Sequence, residues 1–233
     1  MHRSQVSLPR TDGYETEDAK QALRRIVREA RKQRPEGERA RAAERFAANG
    51  LAAVGEARRV AAYVSRPTEP SSLPLLEALR ERGTAVLLPV LGPGLHREWA
   101  EYRSADDLQV RAPGRPPEPS GDVLPAEAVA DVDVVIAPAL AIDAAGTRLG
   151  QGGGWYDRML KLTRPGTPVF GMIFEEELIA DVLLPVDEHD VPVPAVITPE
   201  RWFLLAGSPF QTEALAAQSA ALTALTERHP LDH

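Results

Sequence analysis

From Asp18 onward, apolar residues recur at helical spacing. Leu23, Ile26, Val27 and Ala30 fall at i, i+3, i+4 and i+7, which makes one stripe. A second helix is expected over Glu36 to Val54, with Phe46, Leu51 and Val54 turned inward. Beyond it the pattern alternates between strand and helix. Arg59 to Val64 reads as a strand, Leu73 to Arg82 as a helix stopped by Gly83, and Thr84 to Val90 as a strand. Glu98 to Arg103 reads as an edge strand ahead of a proline-rich excursion through Pro113, Pro116, Pro117 and Pro119. Val132 to Ala137 is almost continuously apolar, as in a strand covered on both faces. A glycine-rich loop leads to a helix over Tyr156 to Leu162 and a strand over Pro168 to Phe174. Ala195 to Thr198 and Arg201 to Leu204 follow as late strands.

This alternation predicts an α/β fold with an open, mostly parallel sheet in one compact domain. Residues 1–17 carry no apolar period and are expected to form a flexible arm, leaving 18–206 as the α/β domain. Residues 207–233 place Leu215, Leu222 and Leu225 in an alanine-rich setting, which predicts a C-terminal helical tail. No internal repeat is present.

Composition narrows the chemistry. Hydrophobic residues make up 43% and charged residues 26% of the 233, so the chain can bury a core and is not intrinsically disordered. Cysteine is absent, which excludes disulfides, thiolate nucleophiles and Cys-bound zinc. A net charge of −7 argues against general nucleic-acid binding while leaving room for a local anion site. No stretch approaches the ~18 apolar residues of a membrane span, and Met1 to Gln5 leads into no signal-peptide core. A cytoplasmic, monomeric protein acting on small molecules, without nucleic-acid or membrane partners, is expected.

Against that acidic background, residues 19–45 hold ten cations and four acids. On a helical wheel Lys20, Arg24 and Arg31 lie beside Val27 at the border of the buried stripe, and Arg25 points almost the opposite way. Lys20 and Arg24 are like-charged i,i+4 neighbours, an arrangement that costs a few tenths of a kcal/mol unless an anion sits between them. Two readings stay open: a solvated basic face, which is the simpler one, or a polyphosphate site.

The segment Gly146-Thr147-Arg148-Leu149-Gly150-Gln151-Gly152-Gly153-Gly154-Trp155-Tyr156-Asp157 is the most informative. It follows the buried strand and opens a helix, the position at which open α/β sheets bind ligands. Its glycines allow close backbone approach and turn N–H groups toward an anion, and Arg148 offers a cation for phosphate oxygens. It matches neither the Walker pattern nor the dinucleotide G-x-G-x-x-G, because Trp155 follows Gly154 and the loop from Pro138 is long. Asp157 at the helix start and Asp190 before the last strands would each alone read as a cap or loop acid. Together they match the one or two carboxylates that Mg²⁺ takes beside substrate phosphates. Glu69 follows a strand end, where a carboxylate is usually solvated but is also able to grip an amino-heterocycle. No G-x-S-x-G elbow is present, which disfavours serine hydrolysis. Trp99 reads as packing and His189 as a surface or orienting residue.

These residues resemble the 5-formyltetrahydrofolate cyclo-ligase family, also called 5,10-methenyltetrahydrofolate synthetase. The likeness runs through Lys20-x-x-Leu23-Arg24, Tyr63-Val64-Ser65 with Glu69-Pro70, Leu87 to Val90, Pro138 to Asp157, Phe174, Pro185 to Asp190 and Val196-Ile197-Thr198. It implies a three-layer α/β/α, Rossmann-like sheet of the NagB/RpiA type. It also implies an ATP- and Mg²⁺-dependent ligase that turns 5-formyltetrahydrofolate into 5,10-methenyltetrahydrofolate through an iminium phosphate. By this resemblance Lys20, Arg24 and Arg148 hold ATP phosphates and carry catalysis, with Leu149, Gly150, Gln151, Gly152, Gly153, Gly154, Trp155 and Tyr156 completing the ATP site. Val64, Glu69 and the turn Gln151 to Trp155 match folate-contacting positions, and Asp157 and Asp190 the metal ligands. Trp155 stands where Tyr is usual, Glu177 where Gln is common and Pro194 where Asp is frequent, the last two placing changes in the second half of the pocket. A related enzyme for another acyl substrate and a non-catalytic folate- or nucleotide-binding module are the competing readings. A dinucleotide oxidoreductase ranks last.

Overall fold

In a computed structural model, the described residues are 6, 13–91, 96–111 and 113–216. Helix α1 spans Thr16–Lys32 and α2 spans Glu36–Val54. The second helix begins directly after Pro35, and Glu36 and Glu38 in its first turn complement the positive end of its dipole. Helix α3 (Leu73–Glu81) takes its Pro in the first turn, where no N–H is missed, and buries Leu75, Leu76 and Leu79. It lies close against α2: a Cβ added at Gly50 would come within 2.5 Å of a methyl of Leu75. Helix α4 is short, Trp155–Leu160.

The strands are β1 (Arg59–Ala61), β2 (Ala85–Leu91), β3 (Arg97–Glu101), β4 (Leu108–Gln109), β5 (Glu118–Pro119), β6 (Val123–Leu124), β7 (Val134–Pro138), β8 (Ala141–Asp143), β9 (Arg148–Leu149), β10 (Val169–Met172), β11 (Leu178–Ile179), β12 (Ala195–Ile197) and β13 (Trp202–Leu204). Eight of them form one sheet in the order β13-β12-β10-β7-β1-β2-β3-β6. Its centre, from β12 to β2, is parallel, and at the flanks the pairings β12–β13, β2–β3 and β3–β6 are antiparallel. The sheet is the open, mostly parallel α/β sheet expected. One expectation changes. The strand over Glu98 to Arg103 is not an edge, because the proline-rich excursion returns as β6 and pairs with Trp99 and Ala100. Trp99 is accordingly fully buried, donating its indole N–H to Ala126 O at 3.2 Å.

The main core joins the sheet to α2, α3 and α4. Helix α1 stands apart from it. Leu23 and Val27 pack with Leu140, Ala141, Leu149, Ile179 and Leu184, a second cluster built on the small sheet β11-β8-β9. That contact is reinforced by a buried bidentate pair. Arg31 donates to both carboxylate oxygens of Glu177 at 2.6 and 2.7 Å and to Ala139 O at 2.6 Å. Burial works against the charge on Arg31, and the Glu177 carboxylate outweighs it, raising the guanidinium pKa further. Glu177 also accepts the Phe174 N–H at 2.9 Å, so it is a buried structural group.

At the N-terminus, Val6 donates its N–H to Glu176 O at 2.9 Å and packs on the α1 cluster. Toward the C-terminus, residues 209–216 are helical and Leu215 is exposed. Leu222 and Leu225 lie outside the described residues. No helix among the described residues is long and apolar enough to cross a membrane.

Removing one partner of the buried pair leaves the other charge stranded. Glu177→Ala is therefore expected to cost about 3–5 kcal/mol in urea unfolding. Two buried phenols set the alkaline limit: Tyr63 donates to Pro70 O and Tyr156 to Ala62 O, both at 3.0 Å. Burial raises both phenol pKa values, with Glu69 adding to the effect at Tyr63. Above about pH 10 the unfolded chain loses tyrosyl protons that the folded chain keeps. Stability should then fall as pH rises, and tyrosinate absorbance from Tyr63 and Tyr156 should appear only together with loss of the circular-dichroism signal.

Candidate active site

The carboxyl ends of the parallel strands open into a cavity of about 1020 Å³. Helix α1 contributes Lys20 and Arg24, the segment after β1 contributes Val64 and Glu69, and the end of β2 contributes Val90 and Leu91. The loop from β9 into α4 lines it from Arg148 to Asp157, and Asp190 closes it. Every site residue predicted from sequence borders this one cavity, although α1 and Asp190 are separated by most of the chain.

The helical-wheel reading of α1 agrees with the structure. Lys20, Arg24 and Arg31 are buried and Arg25 is exposed. The repulsion between Lys20 and Arg24 is relieved by a separate acid for each. Lys20 Nζ pairs with Asp190 Oδ2, and Arg24 Nη1 with Glu17 Oε1 at 2.7 Å. That hydrogen bond from Arg24 holds the Glu17 carboxyl below its usual range, overcoming a small effect of burial. Arg24 Nε also donates to Gly150 O at 3.0 Å, tying α1 to the glycine loop.

The loop can follow this path because of its glycines. Gly152 has φ +100, where a side chain is strained, and an added Cβ would lie 3.4 Å from the Arg24 guanidinium carbon. Arg148 fans its nitrogens between Pro138 O at 3.1 Å and Asp157 Oδ1 at 2.7 Å. Its Nε is buried with no hydrogen-bond partner among the described residues. Leu149 and Tyr156 turn their side chains away from the opening, Leu149 into the α1 cluster and Tyr156 into the main core. Trp155 stands edge-on to Trp99 and Tyr156, with ring centroids 4.8 and 4.9 Å apart.

At the Glu69 end a chain of polar contacts appears that sequence reasoning missed. Arg28 donates to the Gln151 side-chain oxygen at 3.0 and 2.8 Å and to its backbone carbonyl at 2.9 Å. This orientation turns the Gln151 amide nitrogen onto Glu69 Oε1 at 2.6 Å, and Glu69 Oε2 accepts the Arg66 N–H at 2.8 Å. Burial, with Arg24 and Arg66 nearby, lowers the Arg28 pKa. The i+4 step from Lys20 to Arg24 continues to Arg28, so a signal existed; Glu17 had one too, seven residues before its partner. Arg97 and Arg158, which also border the cavity, had none.

Two of the substitutions noted in sequence lie elsewhere. Glu177 is locked in its pair with Arg31, and Pro194 is exposed, its carbonyl accepting the Leu205 N–H at 2.9 Å. Neither lines the cavity, which removes the reason to expect an altered second half of the pocket. His189 is exposed at the rim.

No cluster of three or more His, Cys, Asp or Glu suited to a metal occurs among the described residues. Asp157 and Asp190 nevertheless meet at one wall, since the Val191 N–H donates to Asp157 Oδ1 at 3.3 Å. Two carboxylates fit Mg²⁺ where phosphates supply the remaining oxygens. Both now face cations, Arg148 and Lys20.

The chain is similar to known proteins. The 5-formyltetrahydrofolate cyclo-ligase of Mycolicibacterium smegmatis is 37% identical over 190 residues, covering 78% of this chain and 95% of that protein. The Escherichia coli protein of the same name is 36% identical over 148 residues, 62% of this chain and 80% of its own. The solution structure of Aquifex aeolicus 5,10-methenyltetrahydrofolate synthetase superimposes with a TM-score of 0.67 at 29% identity, covering 81% of this chain and 94% of the other. The profile of the 5-formyltetrahydrofolate cyclo-ligase family matches residues 16–199. By that match and by the identity to its members, the chain belongs to this family of ligases.

Proposed function

We propose that the protein converts 5-formyltetrahydrofolate and MgATP into 5,10-methenyltetrahydrofolate, ADP and phosphate. The observation that carries this reading is the convergence of Lys20, Arg24, Arg148, Asp157 and Asp190 with the Glu69–Gln151 pair on one cavity. Three cations at one end suit a polyphosphate, and an oriented carboxylate beside an amide suits an amino-heterocycle. The unpartnered Arg148 Nε is a donor available to a phosphate oxygen.

An amide oxygen is both a weak nucleophile and a poor leaving group, so the formyl oxygen has to be activated. In the proposed step it attacks the γ-phosphorus, the bond to the bridging oxygen breaks and ADP departs. The resulting iminium phosphate carries an electrophilic carbon. N10 adds to that carbon and loses its proton, and phosphate leaves with the former formyl oxygen. Such chemistry asks the protein chiefly for positioning and charge neutralisation. Lys20, Arg24 and Arg148 hold the phosphates in line with the formyl group. The glycine loop brings backbone N–H groups to the same oxygens. Glu69 and Gln151 fix the pterin edge, and Trp155 offers an aromatic face. When bound, Mg²⁺ neutralises charge on the phosphate oxygens, and Asp157 and Asp190 are the carboxylates that would hold it.

Purified protein given MgATP and 5-formyltetrahydrofolate should form methenyltetrahydrofolate absorbance and ADP in equal amounts, and a metal chelator should stop both. Folded protein that yields neither product under Mg-replete conditions would overturn the proposal. Lys20→Ala should weaken ATP use by about 1.5–3 kcal/mol, the worth of a charged hydrogen bond, read as a 10- to 100-fold loss in kcat/KM for ATP. Unchanged ATP kinetics would instead assign Lys20 to holding Asp190 in place.

A further inference from the structure

The cations bordering the cavity differ in their partners. Lys20, Arg24 and Arg148 each have an acid in contact. Arg97 and Arg158 have no carboxylate partner among the described residues, and Arg97 Nε is buried without a hydrogen bond there. Arg158 donates to Gly153 O at 2.6 Å. The two guanidiniums face the same opening and disfavour one another; burial, and then the charge of Arg158, lowers the pKa of Arg97. In a protein of net charge −7, an uncompensated cation pair at a cavity wall favours an anionic ligand there.

Its position follows from the fold. Arg97 opposes Leu91 in the β2–β3 register, so it sits at the carboxyl end of β2, level with the site. It lies two residues from Trp99 and hence on the same face of β3. Trp99 packs on Trp155, and Arg158 follows Trp155 by three residues on α4, so one aromatic contact brings both arginines to one wall. Arg148 bonds to Pro138 at the end of β7. From β7 through β1 and β2 to β3 is three strand spacings, about 14 Å. Arg97 is therefore well separated from Arg148, with Glu69 and Trp155 bordering the cavity between them, and Arg158 reaches toward it from the end of the glycine loop.

We infer that Arg97 and Arg158 form a carboxylate subsite that recognises the glutamate tail of the folate substrate, and that they set the preference for tailed over tailless substrates. Resting on the folate reading above, this gives Arg97 and Arg158 a ligand: a tail with two carboxylates, held away from the reacting formyl group by the aminobenzoyl spacer. Lys161, one turn beyond Arg158, and Arg115 also border the cavity and add positive potential there.

The test compares 5-formyltetrahydrofolate with 5-formyltetrahydropteroate, which lacks glutamate, in the native protein and in Arg97→Gln and Arg158→Gln. The kcat/KM ratio of tailed to tailless substrate should fall about tenfold in each variant, through KM for the tailed substrate, with KM for ATP moving far less. Equal losses on both substrates would overturn the subsite and make the arginines structural. A rise in KM for ATP instead would reassign the pair to the nucleotide. Should the native protein turn over neither substrate, the folate reading itself fails. In that case binding of each compound, followed by Trp fluorescence, still reports whether the arginines distinguish the tail.

Discussion

Arg31 and Glu177 meet with both side chains only 2% exposed, and the setting of α1 depends on that contact. The apolar residues beneath the helix, Leu23 and Val27, are satisfied by any placement that keeps them covered, because burial has no direction. A two-pronged guanidinium–carboxylate contact does have direction. It fixes the rotation of the helix about its axis and its position along it. Arg28, Arg24 and Lys20 lie three, seven and eleven residues back along the same face, so one buried pair aims three cations at the glycine loop. The pair itself contributes little net stability, given the cost of removing two charges from water. Its consequence is geometric.

The three cations proposed to meet phosphate are already balanced. Lys20 rests on Asp190, Arg24 on Glu17 and Arg148 on Asp157. A polyphosphate entering this corner exchanges one anionic partner for another, so no unpaired charge has to be created or buried. The three acids differ in what they do next. Glu17 is 62% exposed and is free to swing into water. Asp157 and Asp190 are held in the wall by backbone N–H groups from Val191 and Asp187. Left beside a triphosphate they would repel it. That repulsion is the electrostatic reason the proposed reaction takes the magnesium complex of ATP, in which the same two carboxylates become attractive.

Much of this was legible in the chain because the signals are local. Helix α2 begins and ends at the residues its periodicity predicts, and the buried strand β7 announces itself through a continuous apolar run. The Arg148 to Asp157 segment marks its own place on the cavity, since close backbone approach demands glycines at that place in an α/β sheet. The unread parts are non-local. That β3 is internal depends on β6 returning after a proline-rich excursion of about twenty residues, and no local pattern encodes such pairing. Glu177 was read as a pocket residue because its sequence neighbour Phe174 belongs to a motif, yet its side chain answers to Arg31, 146 positions away. Arg97 carries no mark in the sequence at all. Its role emerges only from the strand register and from what its neighbours leave unpaired.

Between the two cationic regions Trp155 borders the cavity, backed by Tyr156 and Trp99 of the core in edge-to-face contact. Tyr156 hydrogen-bonds to Ala62 just beyond β1, and Trp99 belongs to β3, so this aromatic row bridges the strand between them. Its length is therefore set by strand spacing and not by flexible side chains. A Trp at 155 extends further than a Tyr would, and packs edge-on against the buried Trp99. A substrate that spans the cavity is thus measured against the rigid sheet: its phosphorylated end must reach the fixed cations of α1 and β9 while its far end meets those of β3 and α4. Preorganisation of this kind lowers the ordering cost of binding, and it selects for ligand length as well as charge.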